Sequence, residues 1–296
     1  MMLSTVSRNP CPTTMAGTER RVSTTTLRRI GRLLGLGAGL MCAALAACTT
    51  GERPLRLGTT HTVEQSGALA VLDSLAHPMP ATVIGPSGQI LAAGARGDLD
   101  VVITHAPSLE RRLLVEPGHV LLACPFVASR FAIVGPPADP ARVAAAPRAA
   151  DAFRRIAAAA GPFVSRGDSS GTHVKELALW DAAGVRPPAA GGWYLQAGAD
   201  QATTLHVADE RNAYALADLP TLAKLGGLRL RVVFVADTTL TNPYTLYVVR
   251  ESPRRAAAQA FAQWAMDSAR PSILALRLPD GTPAFVARPG GCTDRL

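Results

Sequence analysis

Apolar residues recur along the chain with two periods, about two residues in some segments and about 3.6 residues in others. This pattern predicts strands that are followed by helices. The predicted strands lie at 81–84, 100–104, 162–165, 213–217, 228–235 and 242–249. The predicted helices lie at 88–95, 107–115, 148–160, 172–183, 199–209, 220–225 and 253–268. Such alternation is typical of an α/β fold with mixed, mainly parallel sheets and helices on both faces. A ligand of such a sheet binds beyond the carboxyl ends of its strands.

The segment from Phe163 to Trp180 is the most informative part of the chain, because a short strand, a Gly/Ser/Asp turn and a helix follow one another directly. The first N–H groups of a helix have no intrahelical partner and lie at the positive end of its dipole. This arrangement predicts an anion site. The residues that add donors to it are Ser165, Arg166, Ser169, Ser170, Gly171 and Thr172.

Residues 55–76 repeat the arrangement, again as a strand, a hydroxyl-rich turn and an amphipathic helix. Thr59 and Thr60 lie in this turn, and Ser87 and His105 follow the next two predicted strands. Two turns that each direct donors outward suit an oxyanion held between two lobes.

The amino terminus has the pattern of a bacterial lipoprotein signal. An arginine-rich stretch precedes an uncharged run from Leu33 to Ala47, and Leu-Ala-Ala-Cys ends at Cys48. The run is short for a membrane span but suits a signal peptide. We expect residues 1–47 to be removed, Cys48 to carry lipid, residues 48–54 to form a tether, and the protein to reside in the periplasm or cell envelope, anchored to a membrane.

Removing residues 1–47 changes the charge balance. The whole chain has a formal net charge of +8, but six of its 30 Lys/Arg and one of its 22 Asp/Glu lie in that segment. The remainder has 24 basic and 21 acidic residues. No Lys/Arg cluster with interleaved aromatic residues follows, so we expect no nucleic-acid partner.

Two cysteines, Cys124 and Cys292, remain once the segment before Cys48 is removed and Cys48 is lipidated. In an oxidising compartment they are either a disulfide or two unpaired thiols. No Cys/His spacing is that of a zinc site. The sequence therefore predicts no bound metal cation and no cofactor.

Several segments, in this order and spacing, resemble those of the tungstate-binding proteins of bacterial ABC importers, within the type II periplasmic binding-protein superfamily. The most specific is Ser-Arg-Gly-Asp-x-Ser-Gly-Thr-His, which begins at Ser165. The others are Thr59-Thr60 with 65–67, 97–107, 131–136, Trp193-Tyr194, Thr204-Leu205, Ala213-Tyr214 and Asn242-Pro-Tyr244. Together they cover most of residues 55–250.

The resemblance implies two α/β lobes joined by two crossover strands, with residues 55–131 and 244–296 in one lobe and residues 132–243 in the other. It also implies a monomeric, non-enzymatic receptor that delivers tungstate or molybdate to an ABC transporter permease. The residues expected to contact the anion are Thr59, Thr60, Ser165, Arg166, Gly171, Thr172 and Thr204, with Ser87 beside them.

The chain departs from this family at its first turn, where His61 and Thr62 stand in a run that is commonly threonine and serine. The choice between tungstate and molybdate stays open. Asp168 leaves a second alternative, because a carboxylate in the cleft suits a protonated anion such as phosphate unless it pairs with Arg166 or caps the turn. A receptor for sulfate is the related alternative.

An enzyme is the alternative from another class. Residues 167–171 fit the G-x-S-x-G pattern of a serine hydrolase, with Ser169 as the nucleophile. A triad would need a later histidine, and outside the motif's own helix only His206 follows, inside a predicted helix. The sequence therefore favours a binding protein.

Overall fold

The computed structural model describes residues 53–189 and 191–294. The predicted signal peptide, Cys48 and most of the tether lie outside these residues. Every helix within them is too short or too polar to span a membrane.

The first elements are β1 (Arg56–Thr60), α1 (His61–Gln65), α2 (Ala68–Leu75), β2 (Ala81–Gly85), α3 (Ser87–Ala95), β3 (Val101–Thr104), α4 (Pro107–Glu110) with a π-helical turn (Arg111–Val115), and β4 (Val120–Gly135). The middle elements are a 3-10 turn (Val143–Ala145), α5 (Ala149–Ala158), β5 (Phe163–Ser165), α6 (Gly171–Ala182), β6 (Tyr194–Gln196), α7 (Gln201–Glu210), β7 (Ala215–Asp218), α8 (Leu219–Lys224) and β8 (Arg231–Phe234). The last are a 3-10 turn (Thr238–Leu240), β9 (Thr241–Val249), α9 (Arg255–Trp264) with a π-helical turn (Ala265–Ala269), α10 (Arg270–Leu274) and β10 (Val286–Ala287).

The first lobe, as we use the term, consists of β1 to β3, β4 up to Arg130, β9, β10 and their helices. Its strands lie in the order β10-β4-β9-β3-β1-β2. Apolar side chains of the strands, including Leu57, Val101 and Leu246, form one buried core with residues of α2 and α9. This sheet places the carboxyl ends of β1, β2 and β3 at one edge, where Thr60 lies.

The second lobe consists of β4 from Phe131 onward, β5 to β8 and α5 to α8. Here β4 pairs with β7 and β8, and β5 pairs with β6. An aromatic cluster holds this core, with Phe153 and Phe163 packed against Trp180 at centroid distances of 4.4 and 5.1 Å. The single strand β4 thus runs through both lobes, and the chain returns to the first lobe at the start of β9.

The structure confirms an α/β fold with mixed sheets but corrects the expectation that they are mainly parallel. Among the described strands, β1, β2 and β3 pair in parallel, as do β5 and β6. All the named strand pairings of β4 and β9 are antiparallel. The crossing strands run against their neighbours because the chain passes from one lobe to the other and back.

The structure also corrects the prediction of a single helix within residues 55–76, because that helix is split into α1 and α2. Gly67 lies between α1 and α2 with a φ of 86°, a left-handed conformation that glycine adopts without strain. The break leaves α1 as a short helix beside the turn at Thr60.

Cys124 of β4 and Cys292 of the carboxyl-terminal tail form a disulfide, which settles the two alternatives left by the sequence. The backbone beside it forms a bridge between Ala123 and Thr293. The disulfide therefore fixes the tail to the strand that joins the two lobes.

We expect Cys292→Ala to lower the free energy of unfolding by about 4 kcal/mol, because the disulfide closes a long loop and restricts the unfolded chain. The two cysteines are 168 residues apart. Chemical denaturation of oxidised and reduced wild-type protein and of the variant measures this. Reduced wild type should match the variant, and equal stability of all three samples would contradict the expectation.

Candidate functional site

The two donor-rich turns have the local structure that the sequence predicts. At the end of β1 the Thr60 hydroxyl accepts the N–H of Val63 at 3.3 Å and caps α1. At the start of α6 the Ser170 hydroxyl accepts the N–H of His173 at 3.2 Å. Each cap fixes the direction in which a strand turns into a helix.

The second turn faces the first lobe across the cleft and contacts it directly at the start of α3. The N–H of Gly171 donates to Ser87 Oγ at 3.1 Å, and the N–H of Gly88 donates to the Ser169 carbonyl at 3.3 Å. A Cβ on Gly171 would lie 2.6 Å from atoms of His105, so the close approach requires glycine. The lobes are therefore in a closed arrangement.

Arg166 is the central charged group of the cleft and is only 1% exposed. Its Nη2 donates to Asp168 at 2.5 Å, and its Nη1 donates to Thr62 Oγ1 in the first lobe at 3.4 Å. Its Nε has no hydrogen-bond partner among the described residues. Burial lowers the pKa of the guanidinium, and the charge of Asp168 opposes that shift.

Four further predicted site residues have hydroxyl donors available. Ser165 and Thr172 are buried, and their hydroxyls make no hydrogen bond of good geometry within the described residues. The hydroxyls of Thr60 and Ser87 accept backbone N–H groups, so their own hydrogens can be donated. Buried polar groups are normally paired, and this set requires an acceptor.

Thr59 and Thr204 are buried beside these groups but differ from them. The Thr59 hydroxyl donates to the Ile103 carbonyl at 3.2 Å, and that of Thr204 donates to the Asp200 carbonyl at 2.7 Å. A hydroxyl has one hydrogen to donate. In this arrangement the two hydroxyls are hydrogen-bonded to backbone carbonyls and are not free to donate to a ligand.

Asp168 has the role that the sequence favoured among its alternatives. One carboxylate oxygen accepts from Arg166, and the other accepts the N–H of Ser170 at 3.1 Å. The carboxylate thus holds the turn and orients the guanidinium, and a protonated anion would have to compete for it.

Sequence reasoning missed Thr62, which is 1% exposed and contacts Arg166. The neighbouring His61 is partly exposed, and its Nδ1 lies 3.5 Å from Glu64 Oε2. At this departure from the family pattern, Thr62 therefore keeps a buried hydroxyl, whereas the imidazole of His61 is partly exposed.

A buried network behind the cleft was also missed. Asn242 Nδ2 donates to Asp218 at 2.9 Å, to Tyr244 at 3.0 Å and to Ser129 at 3.1 Å. Its oxygen therefore faces His105 Nδ1, 3.0 Å away, which carries the hydrogen. Burial lowers the pKa of His105 to about 4. This network joins β4, β7 and β9 where the chain crosses between the lobes.

Glu176 of α6 is a buried carboxyl group directly beneath the second turn. It accepts the Tyr194 hydroxyl at 2.7 Å and Trp180 Nε1 at 3.2 Å. Burial raises its pKa to about 7, although hydrogen bonds from Tyr194 and Trp180 and the nearby Ser165 hydroxyl oppose the shift. The group supports the end of β5, from which Ser165 and Arg166 project.

Around Ser169, the described residues show a backbone contact with a histidine but no hydrogen bond from the side chain to a base. Ser169 has a φ of 59° and its N–H donates to His173 Nδ1 at 3.1 Å. Its hydroxyl forms no hydrogen bond with a histidine among the described residues. Those residues also hold no cluster of three or more His, Cys, Asp or Glu that could bind a metal ion.

Two α/β lobes joined by a shared strand, with buried donors in the cleft between them, define a two-lobed solute-binding protein of type II. A family model for the PBP superfamily domain matches residues 48–269. The chain therefore belongs to the periplasmic binding-protein superfamily.

Three similar proteins refine this assignment. The chain is 36% identical over 200 residues to a putative ABC transporter anion-binding protein of Haloferax volcanii, an alignment that covers 64% of this chain and 58% of that protein, less than two thirds of it. It is 31% identical over 269 residues to the tungstate-binding protein TupA of Peptoclostridium acidaminophilum, covering 82% and 93%. The crystal structure of the tungstate ABC transporter from Geobacter sulfurreducens has 34% identity and a TM-score of 0.64, covering 72% and 94%.

We expect Glu176→Gln to remove a pH dependence of stability. The folded-state pKa is raised above the unfolded value, so the stability that the neutral carboxyl contributes is complete below the unfolded pKa and is lost as pH rises through about 7. Relative to the variant, the wild-type free energy of unfolding should fall by about 3 kcal/mol between pH 5 and 8. Denaturation across this range measures it, with the exposed Glu210→Gln as the matched control. Parallel pH profiles of wild type and Glu176→Gln would contradict the assignment.

Proposed function

We propose that this protein captures tungstate, or molybdate, between its lobes and delivers it to an ABC importer in the membrane. Its superfamily and the two relatives that are named for tungstate support this assignment. The observation that carries it is the buried Arg166, which has an unused donor beside buried hydroxyls whose hydrogens are free.

The physical demand of the ligand matches this set of groups. A tetrahedral oxyanion with two negative charges and no proton only accepts hydrogen bonds, and burying its charge without compensation is costly. One guanidinium at about 4 Å gives a gross attraction of roughly 8 kcal/mol at an effective dielectric constant of about 20. Phosphate carries a proton at neutral pH, and the nearest carboxylate, Asp168, already accepts from Arg166 and Ser170.

The proposed ligand contacts follow from which donors are free. They are Thr60, Ser87, Ser165, Arg166 and Thr172, whereas the Gly171 N–H expected among them already donates to Ser87 Oγ. The hydroxyls of Thr59 and Thr204 are bonded to backbone carbonyls, and that of Thr62 to Arg166. Substituting any of them should therefore weaken binding by displacing these groups and not by removing a contact with the anion.

The proposal includes a location in the periplasm or cell envelope, with a lipid on Cys48, a tether over 48–54 and a monomeric receptor. It also keeps the lobe boundaries that the sequence predicts, at 131–132 and 243–244, which lie one and three residues beyond the division at Arg130 and at the start of β9. Mass spectrometry of protein extracted from membranes tests the anchor, and recovery of unmodified Cys48 within a longer peptide would count against it.

We expect tungstate to raise the melting temperature of the wild-type protein and Arg166→Ala to remove most of this shift. A ligand that binds only the folded form stabilises it by about 4 kcal/mol at a thousandfold excess over Kd. Differential scanning fluorimetry with tungstate, molybdate, sulfate and phosphate measures the shift. Arg154→Ala is the matched control, since Arg154 pairs with Asp151 on an exposed helix and should leave the response unchanged.

Ser169→Ala separates the binding protein from the hydrolase, because it removes the only candidate nucleophile of the motif and leaves the proposed donors in place. It should keep most of the tungstate response. A wild-type response to phosphate or to an organic ligand, with none to tungstate or molybdate, would reject the ligand assignment.

A further inference from the structure

Gln65, the last residue of α1, reaches from the first lobe to the amino terminus of α7 in the second lobe. Its Oε1 accepts the N–H of Ala202 at 3.2 Å. Ala202 is the second residue of α7, so its N–H has no partner within the helix. A side chain of one lobe therefore caps a helix of the other.

The same helix end has a second cap from its own lobe. Asp200 Oδ1 accepts the N–H of Thr203 at 2.8 Å. Burial raises the pKa of Asp200, but the Thr203 N–H and the nearby Gln65 side chain outweigh it and the net shift is downward. The neutral amide of Gln65 thus accepts from one group of α7 beside the Asp200 carboxylate, where a second carboxylate would be repelled.

A second contact lies beside this one. Lys224, at the end of α8, covers Gly67, where a Cβ would lie 2.4 Å from the lysine Cε. The end of α1 therefore contacts both α7 and α8 of the second lobe. Gln65 Oε1 is engaged by α7, so this contact is separate from the donors proposed for the anion.

We propose that Gln65 is a positioning residue that latches the two lobes together over the ligand without contacting it. The proposal rests on the proposed function, since it concerns a ligand that leaves when the lobes part. The latch contacts exist only while the lobes are together, so they favour the closed form for any oxyanion that fits. They should slow release and leave selectivity unchanged.

Two variants test the latch. Gln65→Ala removes the hydrogen bond with the Ala202 N–H, and Gln65→Glu keeps an acceptor but places a carboxylate beside Asp200. Stopped-flow tryptophan fluorescence gives association and dissociation rates for tungstate and molybdate. We expect dissociation to become about fivefold faster in Gln65→Ala and about tenfold faster in Gln65→Glu, with association rates and the tungstate-to-molybdate affinity ratio as in wild type.

Gln263→Glu is the matched control. Gln263 donates to Asp267 at 2.7 Å on the exposed face of α9, so this variant creates the same pair of carboxylates away from the cleft. Its rates should equal those of wild type. Unchanged dissociation in both Gln65 variants would overturn the latch, and a changed affinity ratio would show that Gln65 contacts the anion.

Amide hydrogen exchange tests the latch independently of the rates. With tungstate bound, the Ala202 amide should exchange faster in Gln65→Ala than in wild type, whereas the Thr203 amide, capped by Asp200, should not change. If no oxyanion binds the wild type, the proposed function fails and the same comparison in the free protein decides the latch. Equal Ala202 exchange in wild type and variant would overturn it.

Discussion

The cleft is organised around a guanidinium that is almost completely removed from water. Such a group must be neutralised or fully hydrogen-bonded, because an unpaired buried charge is strongly destabilising. Asp168 supplies the opposite charge and Thr62 supplies an oxygen from the other lobe. Arg166 Nε remains unpartnered among the described residues, as do the buried hydroxyls of Ser165 and Thr172. The position of Arg166 therefore decides which partner the cleft can accept.

The surrounding structure fixes that position from two sides. Glu176 and its aromatic partners hold the end of β5 from below, while Asp168 holds the turn that follows. The Asn242 network fixes the crossing strands behind the turn, and His105 of this network packs against Gly171. A movement of the crossing strands is thereby transmitted to the first residue of α6. The buried polar groups form one support that reaches from the crossing strands to the second turn.

The sequence predicts the elements well where their patterns are local. Both strand-turn-helix segments are present, and the aspartate of the second turn pairs as expected. The long strand β4 was not predicted in full, because its pairing partners lie in two lobes and are distant in the chain. Thr62, Glu176 and Asn242 act through contacts between distant segments, which no local spacing reveals. The free or engaged state of the Thr59 and Thr204 hydroxyls likewise depends on the folded backbone.

In the proposed receptor, selectivity among tetrahedral dianions depends on how closely the second turn approaches the start of α3. Such ions present the same charge and the same kind of acceptor, so a guanidinium and hydroxyl donors distinguish them weakly. The hydrogen bonds from Gly171 to Ser87 and from Gly88 to Ser169 join the two lobes directly and do not pass through a ligand. An anion too large for the cleft keeps these bonds from forming, and one too small leaves donors unpaired. In the proposed receptor, the contacts between the lobes therefore discriminate between ions by size, and Arg166 discriminates by charge.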